Sequence, residues 1–109
     1  MISVLDYQQY REFLRDYYLD AKKRGTGFTY ARFSSNAGIR SPNYMKLVID
    51  GQKNLTPNNI VRFSKALGLK ENESDYFEAL VYFNQSKNVL EREYFQERMN
   101  RVKTRSGGG

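Results

Sequence analysis

The spacing of apolar positions predicts helices, because apolar residues recur every three or four positions from residue 7 onward. Asp6 is suited to cap the first helix, with Gln9 as its capping-box partner and Leu5 and Tyr10 as a hydrophobic staple. One face of this helix is largely aromatic: Tyr7, Tyr10, Phe13, Leu14, Tyr17 and Tyr18. The polar residues, Arg11 among them, take the opposite face. We interpret the aromatic face as core packing rather than as the lining of a ligand pocket.

Residues 28–69 carry the signals of three short helices. Each predicted helix begins at a hydroxyl residue that favours N-caps: Thr29, Ser41 and Thr56. Each is followed by a glycine that can end a helix in the left-handed conformation: Gly38, Gly51 and Gly68. Pro42 and Pro57 directly follow two of the caps, where proline is favoured at the first helical position. The middle helix is therefore expected near residues 42–49.

Two further helices are predicted after residue 69. The first has acidic residues in its first turn and an apolar set consisting of Tyr76, Phe77, Leu80, Val81 and Phe83. After a break near residues 84–88, a last helix is expected over residues 89–105 with a thin apolar stripe: Leu90, Tyr94, Met99 and Val102. This stripe either docks on the core or pairs with a second copy, so residues 88–105 are a possible homodimer contact.

The sequence as a whole predicts an all-α fold, because no stretch shows the alternation of a strand. We expect a single domain of five to six helices over residues 1–105. Residues 106–109 are expected to be a flexible tail or linker, since they are rich in glycine.

Composition narrows the possible chemistry. The 109 residues include no cysteine and no histidine, which removes disulfides, thiol nucleophiles, the commonest zinc ligands and the usual general base. No paired carboxylates stand out, so we expect no enzymatic activity, no metal site and no cofactor. Neither a signal peptide nor a membrane-spanning apolar run is recognisable, so we expect a cytoplasmic protein without a membrane partner.

The charges are unevenly distributed around a formal net charge of +6. Residues 38–65 hold five cations against the single acid Asp50, a net charge of +4. Residues 71–97 hold seven acids against two cations, a net charge of −5. This polarity favours a polyanionic partner at the central segment.

Double-stranded DNA is the partner that this central segment suggests. Two short helices joined by a tight turn, braced by a third, form a helix-turn-helix whose second helix can enter the major groove. The candidates for base readout lie at the start of that helix: Ser41, Asn43 and Lys46. Three further residues are candidates for contacts with backbone phosphate: Arg40, Lys53 and Arg62.

The same residues carry a resemblance to known regulators. Thr29 at the cap, Gly38-Ile39 at the turn, Gly51 after the second helix and residues 55–69, LTPNNIVRFSKALGL, resemble the Cro/CI-type (Xre-like) helix-turn-helix of bacterial and phage repressors. The resemblance implies a lambda-repressor-like fold and DNA binding. Tyr30 stands where many such repressors have a phosphate-binding glutamine, which makes it a further phosphate candidate.

Residues 4–90 more closely resemble the N-terminal segment of a bacterial paralogous, regulator-like family with a C-terminal domain of unknown function. That resemblance implies that the chain is the N-terminal part of a longer regulator.

The interval from Gly38 to Gly51 is one residue longer than the common repressor pattern, which leaves two registers for the middle helix. In the first, the core-facing residues are Tyr44, Leu47 and Val48, while Asn43 and Lys46 face the groove. In the second, Met45 and Val48 face the core and Tyr44 is exposed. We favour the first, because it buries more apolar surface.

Two functions follow from these patterns. The first is a sequence-specific DNA-binding regulator acting as a dimer. The alternative is a helical protein-interaction or dimerisation module that has lost DNA binding.

Overall fold

The computed structural model describes residues 2–107, and these residues form six α-helices after a short 3-10 helix. The elements are the 3-10 helix Val4–Asp6, α1 Tyr10–Lys23, α2 Tyr30–Asn36, α3 Tyr44–Ile49, α4 Pro57–Ala66, α5 Glu71–Gln85 and α6 Val89–Gly107. The predicted all-α fold is confirmed, and residues 2–107 contain no strand.

The predicted start of the first helix at Asp6 is wrong. Asp6 ends the 3-10 helix, whose cap is Ser3, and α1 begins only at Tyr10. The Tyr10 backbone N–H donates to Asn84 Oδ1 at 2.7 Å, so the α1 amide is satisfied by a side chain from α5. Because this partner lies 74 residues away, local capping rules could not have found it.

Gln85, the last residue of α5, ties three parts of the chain together. Its Oε1 accepts hydrogen bonds from the Tyr10 hydroxyl at 2.6 Å and from the Leu55 N–H at 2.9 Å. Its Nε2 donates to the Leu55 carbonyl at 3.0 Å. The break expected near residues 84–88 therefore starts only at Ser86, and the two residues before it join α5 to α1 and to the start of α4.

The core is built from aromatic and aliphatic residues of all six helices, the 3-10 helix and the segment before α4. Phe13 of α1 meets Phe77 of α5 edge-on with ring centroids 6.0 Å apart. Phe33 of α2 meets Phe63 of α4 in the same way at 5.0 Å. The interpretation of the aromatic face of α1 as core is confirmed, since its members are either fully buried or packed partly buried against the core cluster.

The terminal helix α6 runs antiparallel to α5. Successive contacts along α6 move backwards along α5: Tyr82 with Phe95, Glu78 with Arg98, and Asp75 with Arg105. The predicted apolar stripe of α6 is therefore divided, because its C-terminal residues are buried in the core and its N-terminal residues are exposed.

The end of α6 also differs from the prediction. The helix includes Ser106 and Gly107, which were expected in a flexible tail, and positions 108 and 109 of that tail lie outside the described residues. Of the helices in residues 2–107, none combines the length and the apolar content that crossing a bilayer requires.

The Gln85 contacts generate a stability prediction. Gln85→Ala leaves the backbone of the buried Leu55 and the Tyr10 hydroxyl without partners, so the free energy of unfolding should fall by about 2–4 kcal/mol. Urea denaturation followed by circular dichroism measures this change. The matched control is Gln52→Ala, whose exposed side chain makes no hydrogen bond with the described residues and should change stability by less than about 0.5 kcal/mol. Equal effects of the two substitutions would contradict the role assigned to Gln85.

Candidate nucleic-acid interface

The helices α2 and α3 pack against each other across a tight turn. Thr29 caps α2 as predicted, since its hydroxyl accepts the Arg32 N–H at 3.0 Å. Gly38 adopts φ +71°, which lets the Ile39 N–H reach back to the Ser34 carbonyl at 2.8 Å and close the helix. Gly38, which tolerates a positive φ, therefore sets the direction in which the chain leaves α2 toward α3.

The predicted start of α3 at Ser41 and Pro42 is wrong. Pro42 and Asn43 form a turn in which the Tyr44 N–H donates to the Ser41 carbonyl at 3.4 Å, and the helix begins at Tyr44. Asn43 occupies the N-cap position, but its side chain makes no capping hydrogen bond. The turn therefore precedes the first residue of α3. As a result, the side chains of Ser41 and Asn43 are both exposed on the turn.

The favoured register of α3 is wrong for Leu47, which is not part of the core cluster, whereas Tyr44 packs partly buried against that cluster. Met45 and Val48 are completely buried, as in the second register, whereas Leu47 is half-buried. Tyr44 is also half-buried, with its hydroxyl donating to the Asn54 carbonyl at 2.9 Å and its ring 5.9 Å from that of Phe63. Tyr44 therefore packs at the edge of the core and is hydrogen-bonded to the segment after α3.

Lys46 is exposed on α3, as both registers allow, but its ammonium is paired. Lys46 Nζ lies 2.9 Å from Asp50 Oδ2, one helical turn further along. The hydrogen bond and the charge of this carboxylate raise the pKa of Lys46 above its ordinary value. A base contact by Lys46 has to replace this ion pair.

The phosphate candidates Arg40, Lys53 and Arg62 are all exposed. No ion pair within residues 2–107 involves them, although Arg62 Nη1 donates to Asn59 Oδ1 at 3.3 Å. Arg40 adjoins Ser41 in the turn before α3. The side chains of Lys53 and Arg62 form no hydrogen bond or ion pair with Ser41, Asn43 or Lys46.

Tyr30, the candidate taken from the resemblance, is half-buried at the start of α2. Its ring stacks on that of Tyr18 with centroids 4.1 Å apart and planes inclined by 4°. Burial raises the pKa of the Tyr30 hydroxyl above its ordinary value. Tyr18 and Asp50 raise this pKa further, and Lys46 lowers it by a smaller amount than burial raises it. The ring of Tyr30 is thus held against α1 by its stacking on Tyr18.

Arg11 of α1 has a role that no sequence pattern indicates. Its Nη1 donates to the carbonyls of Val48 and, at 2.9 Å, Lys53, and its Nη2 donates to Asn54 Oδ1 at 2.7 Å. The sequence placed Arg11 on the polar face of its helix, and nothing local distinguishes it from its charged neighbours. Its guanidinium fixes the end of α3 and the following segment to α1.

The fold offsets part of the negative charge of residues 71–97, but within residues 2–107 it adds no carboxylate partner to the cations of residues 38–65. Arg98 pairs with Glu78 and Arg105 with Asp75, both at 3.0 Å, so cations of α6 offset part of the acidity of α5. In residues 38–65 the one ion pair is that of Lys46 with Asp50. The surface around α3 and α4 thus retains cations that no carboxylate of residues 2–107 pairs with.

The other chemistry available to the chain is limited. Within residues 2–107, no three or more carboxylate side chains are grouped so that they could hold a metal ion. Comparisons with protein-family models, with curated proteins and with solved structures found no match for this chain.

The Arg11 contacts generate a second stability prediction. Arg11→Ala should lower the free energy of unfolding by about 1–3 kcal/mol, because it removes a charged donor from two carbonyls and an amide at the end of α3. Arg15→Ala, one turn further along α1, is the control, since Arg15 is exposed and forms no ion pair in the described residues. Thermal and urea unfolding of the two variants provide the comparison. If Arg15→Ala is as damaging as Arg11→Ala, the contacts of Arg11 do not hold α3.

Proposed function

We propose that this chain is the DNA-binding domain of a sequence-specific transcriptional regulator, in which α2 and α3 act as a helix-turn-helix and α3 reads the major groove. The observation that carries the proposal is the contrast between the two sides of α3. One side is anchored by buried Met45 and Val48, while Ser41, Asn43 and Lys46 stand exposed on the turn and the opposite side. A polar tip held on a rigid base is what groove reading requires.

The chemistry of the exposed tip suits base edges. An asparagine amide can both donate to and accept from adenine, and a lysine ammonium can donate to guanine O6 and N7. The Asn43 amide makes no capping bond in the free protein, so it is available to a base without the loss of an internal contact. Ser41 can donate to or accept from either type of base.

The flanking cations suit the phosphate backbone. Arg40, Lys53 and Arg62 carry no ion pair in residues 2–107, and Tyr30 lies half-buried at the start of α2. Contacts of this kind position a protein on the duplex without reading its sequence. The resemblance of residues 29–69 to Cro/CI-type (Xre-like) repressors supports the same assignment. Under this proposal the protein acts in the cytoplasm, on double-stranded DNA.

The proposal predicts steeply salt-dependent binding. If Arg40, Lys53 and Arg62 each neutralise one phosphate, the slope of log affinity against log salt is about −3, so affinity should fall about 50-fold between 50 and 200 mM salt. Fluorescence anisotropy with a labelled duplex measures both affinities. The absence of saturable binding at 50 mM salt would exclude the proposed function.

The roles of individual residues are separated by using two kinds of DNA. Asn43→Ala and Lys46→Ala should each weaken binding to a selected duplex by about 1–3 kcal/mol and have little effect on random duplex. Arg62→Ala should weaken binding to both duplexes by a similar factor. Lys103→Ala, which removes an exposed cation of α6, should weaken binding to neither duplex. Equal losses on both duplexes for Asn43→Ala would argue against base readout.

The alternative, a protein-interaction or dimerisation module, is favoured by a separate observation. Val89, Leu90 and Tyr94, in the first turns of α6, are 69%, 79% and 54% exposed. Met99 and Val102 are buried in the core, so any homodimer contact within residues 88–105 would use the N-terminal third of the helix. Dimerisation there is compatible with DNA binding, since paired half-sites need two copies.

Sedimentation equilibrium tests this contact. The double variant Leu90→Ser/Tyr94→Ser should be monomeric at concentrations where the unchanged chain is dimeric, and its melting temperature should stay within a few degrees because both side chains are exposed. Truncation before residue 88 is unsuitable, because it also removes buried Met99 and Val102. Identical masses of the two proteins at every concentration would exclude the contact.

A further inference from the structure

Asp50 is the only acidic residue in the sequence between Gly38 and Lys65. It is the C-cap residue of α3, and its Oδ2 lies 2.9 Å from Lys46 Nζ. The only carboxylate in this basic segment therefore forms an ion pair with Lys46, one of the three residues proposed to read bases.

The stability of α3 does not require this carboxylate. A helix dipole disfavours an acid at the C-terminus, and the order of Lys46 before Asp50 is the weaker orientation for a pair four residues apart. Both side chains are exposed, and exposed pairs contribute little. The helix is closed by backbone bonds instead, since Gly51 adopts φ +82° and the Gln52 N–H donates to the Leu47 carbonyl at 2.9 Å.

We propose that Asp50 is a specificity-determining residue of the DNA interface, which restrains Lys46 and repels backbone phosphate so that binding to unmatched DNA is weakened more than binding to matched DNA. This inference rests on the proposed function.

Asp50 weakens binding to unmatched DNA more than binding to matched DNA because the two complexes depend on different contacts. Complexes with unmatched DNA depend on phosphate contacts, so they bear the repulsion by Asp50 without a base contact of Lys46 to offset it. In a matched complex, guanine O6 and N7 replace the carboxylate as acceptors for Lys46. The charge of Asp50 also contributes to raising the pKa of the Tyr30 hydroxyl, after burial and Tyr18.

The experiment compares Asp50→Asn with the unchanged chain on two duplexes, one of random sequence and one enriched from a random library. Asp50→Asn should raise the affinity for the random duplex about three- to tenfold and that for the enriched duplex less than about twofold. Asp20→Asn is the matched control. It removes the same charge from an exposed pair, Asp20 with Arg24 at 3.1 Å, on α1. This control should leave the ratio of the two affinities unchanged.

A double variant shows whether Asp50 acts through Lys46. In a Lys46→Ala background, Asp50→Asn should alter the affinity ratio much less than it does alone. An unchanged ratio in Asp50→Asn, or the same change in Asp20→Asn, overturns the inference while leaving DNA binding intact. If the unchanged chain binds neither duplex at 50 mM salt, the proposed function fails and the inference fails with it.

Discussion

Two side-chain amides at the end of α5 join that helix to the start of α1 and to the segment before α4. Asn84 supplies the acceptor for the first amide of α1 and donates to the Gln8 carbonyl, and Gln85 pairs with both backbone groups of Leu55. The same Gln85 oxygen accepts the hydroxyl of Tyr10, which is fully buried. Burial raises the pKa of Tyr10 to about 12, so the hydroxyl remains a donor throughout the neutral range. An amide serves here because it donates and accepts without carrying a charge into the interior.

Arg11 connects the start of α1, which these bonds hold, to the end of α3. Once the start of α1 is fixed, Arg11 lies where its guanidinium meets the carbonyls at the end of α3 and the amide of Asn54. Tyr44 reaches the Asn54 carbonyl from the other direction. The proposed reading helix has only six residues and is too short to be stable alone, so its direction depends on these tertiary contacts.

Sequence predicts well several helix ends that depend on neighbours within five positions, although the same local rules were wrong for Ser41 and Pro42. Thr29 and Thr56 cap their helices, and Gly38 and Gly68 close them, because each acts on backbone groups nearby. The expectation for Asp6 failed because the acceptor for α1 comes from Asn84, far along the chain. No periodicity in α1 could have indicated that Arg11 reaches the end of α3. The exposed positions of Asn43 and Lys46 were predictable, but the pairing of Lys46 with Asp50 depends on a side-chain geometry that the sequence leaves open.

Under the proposed function, a polar tip on α3, held by α1 and α2, reads DNA sequence. Selection of bound duplexes from a random library tests it most directly, because every possible short target sequence is offered to the protein at once. The account predicts one short enriched sequence that contains adenine and guanine positions and is lost when Asn43 and Lys46 are both replaced by alanine. Recovery of unenriched DNA by the unchanged chain, or the same enriched sequence from the double variant, would contradict it.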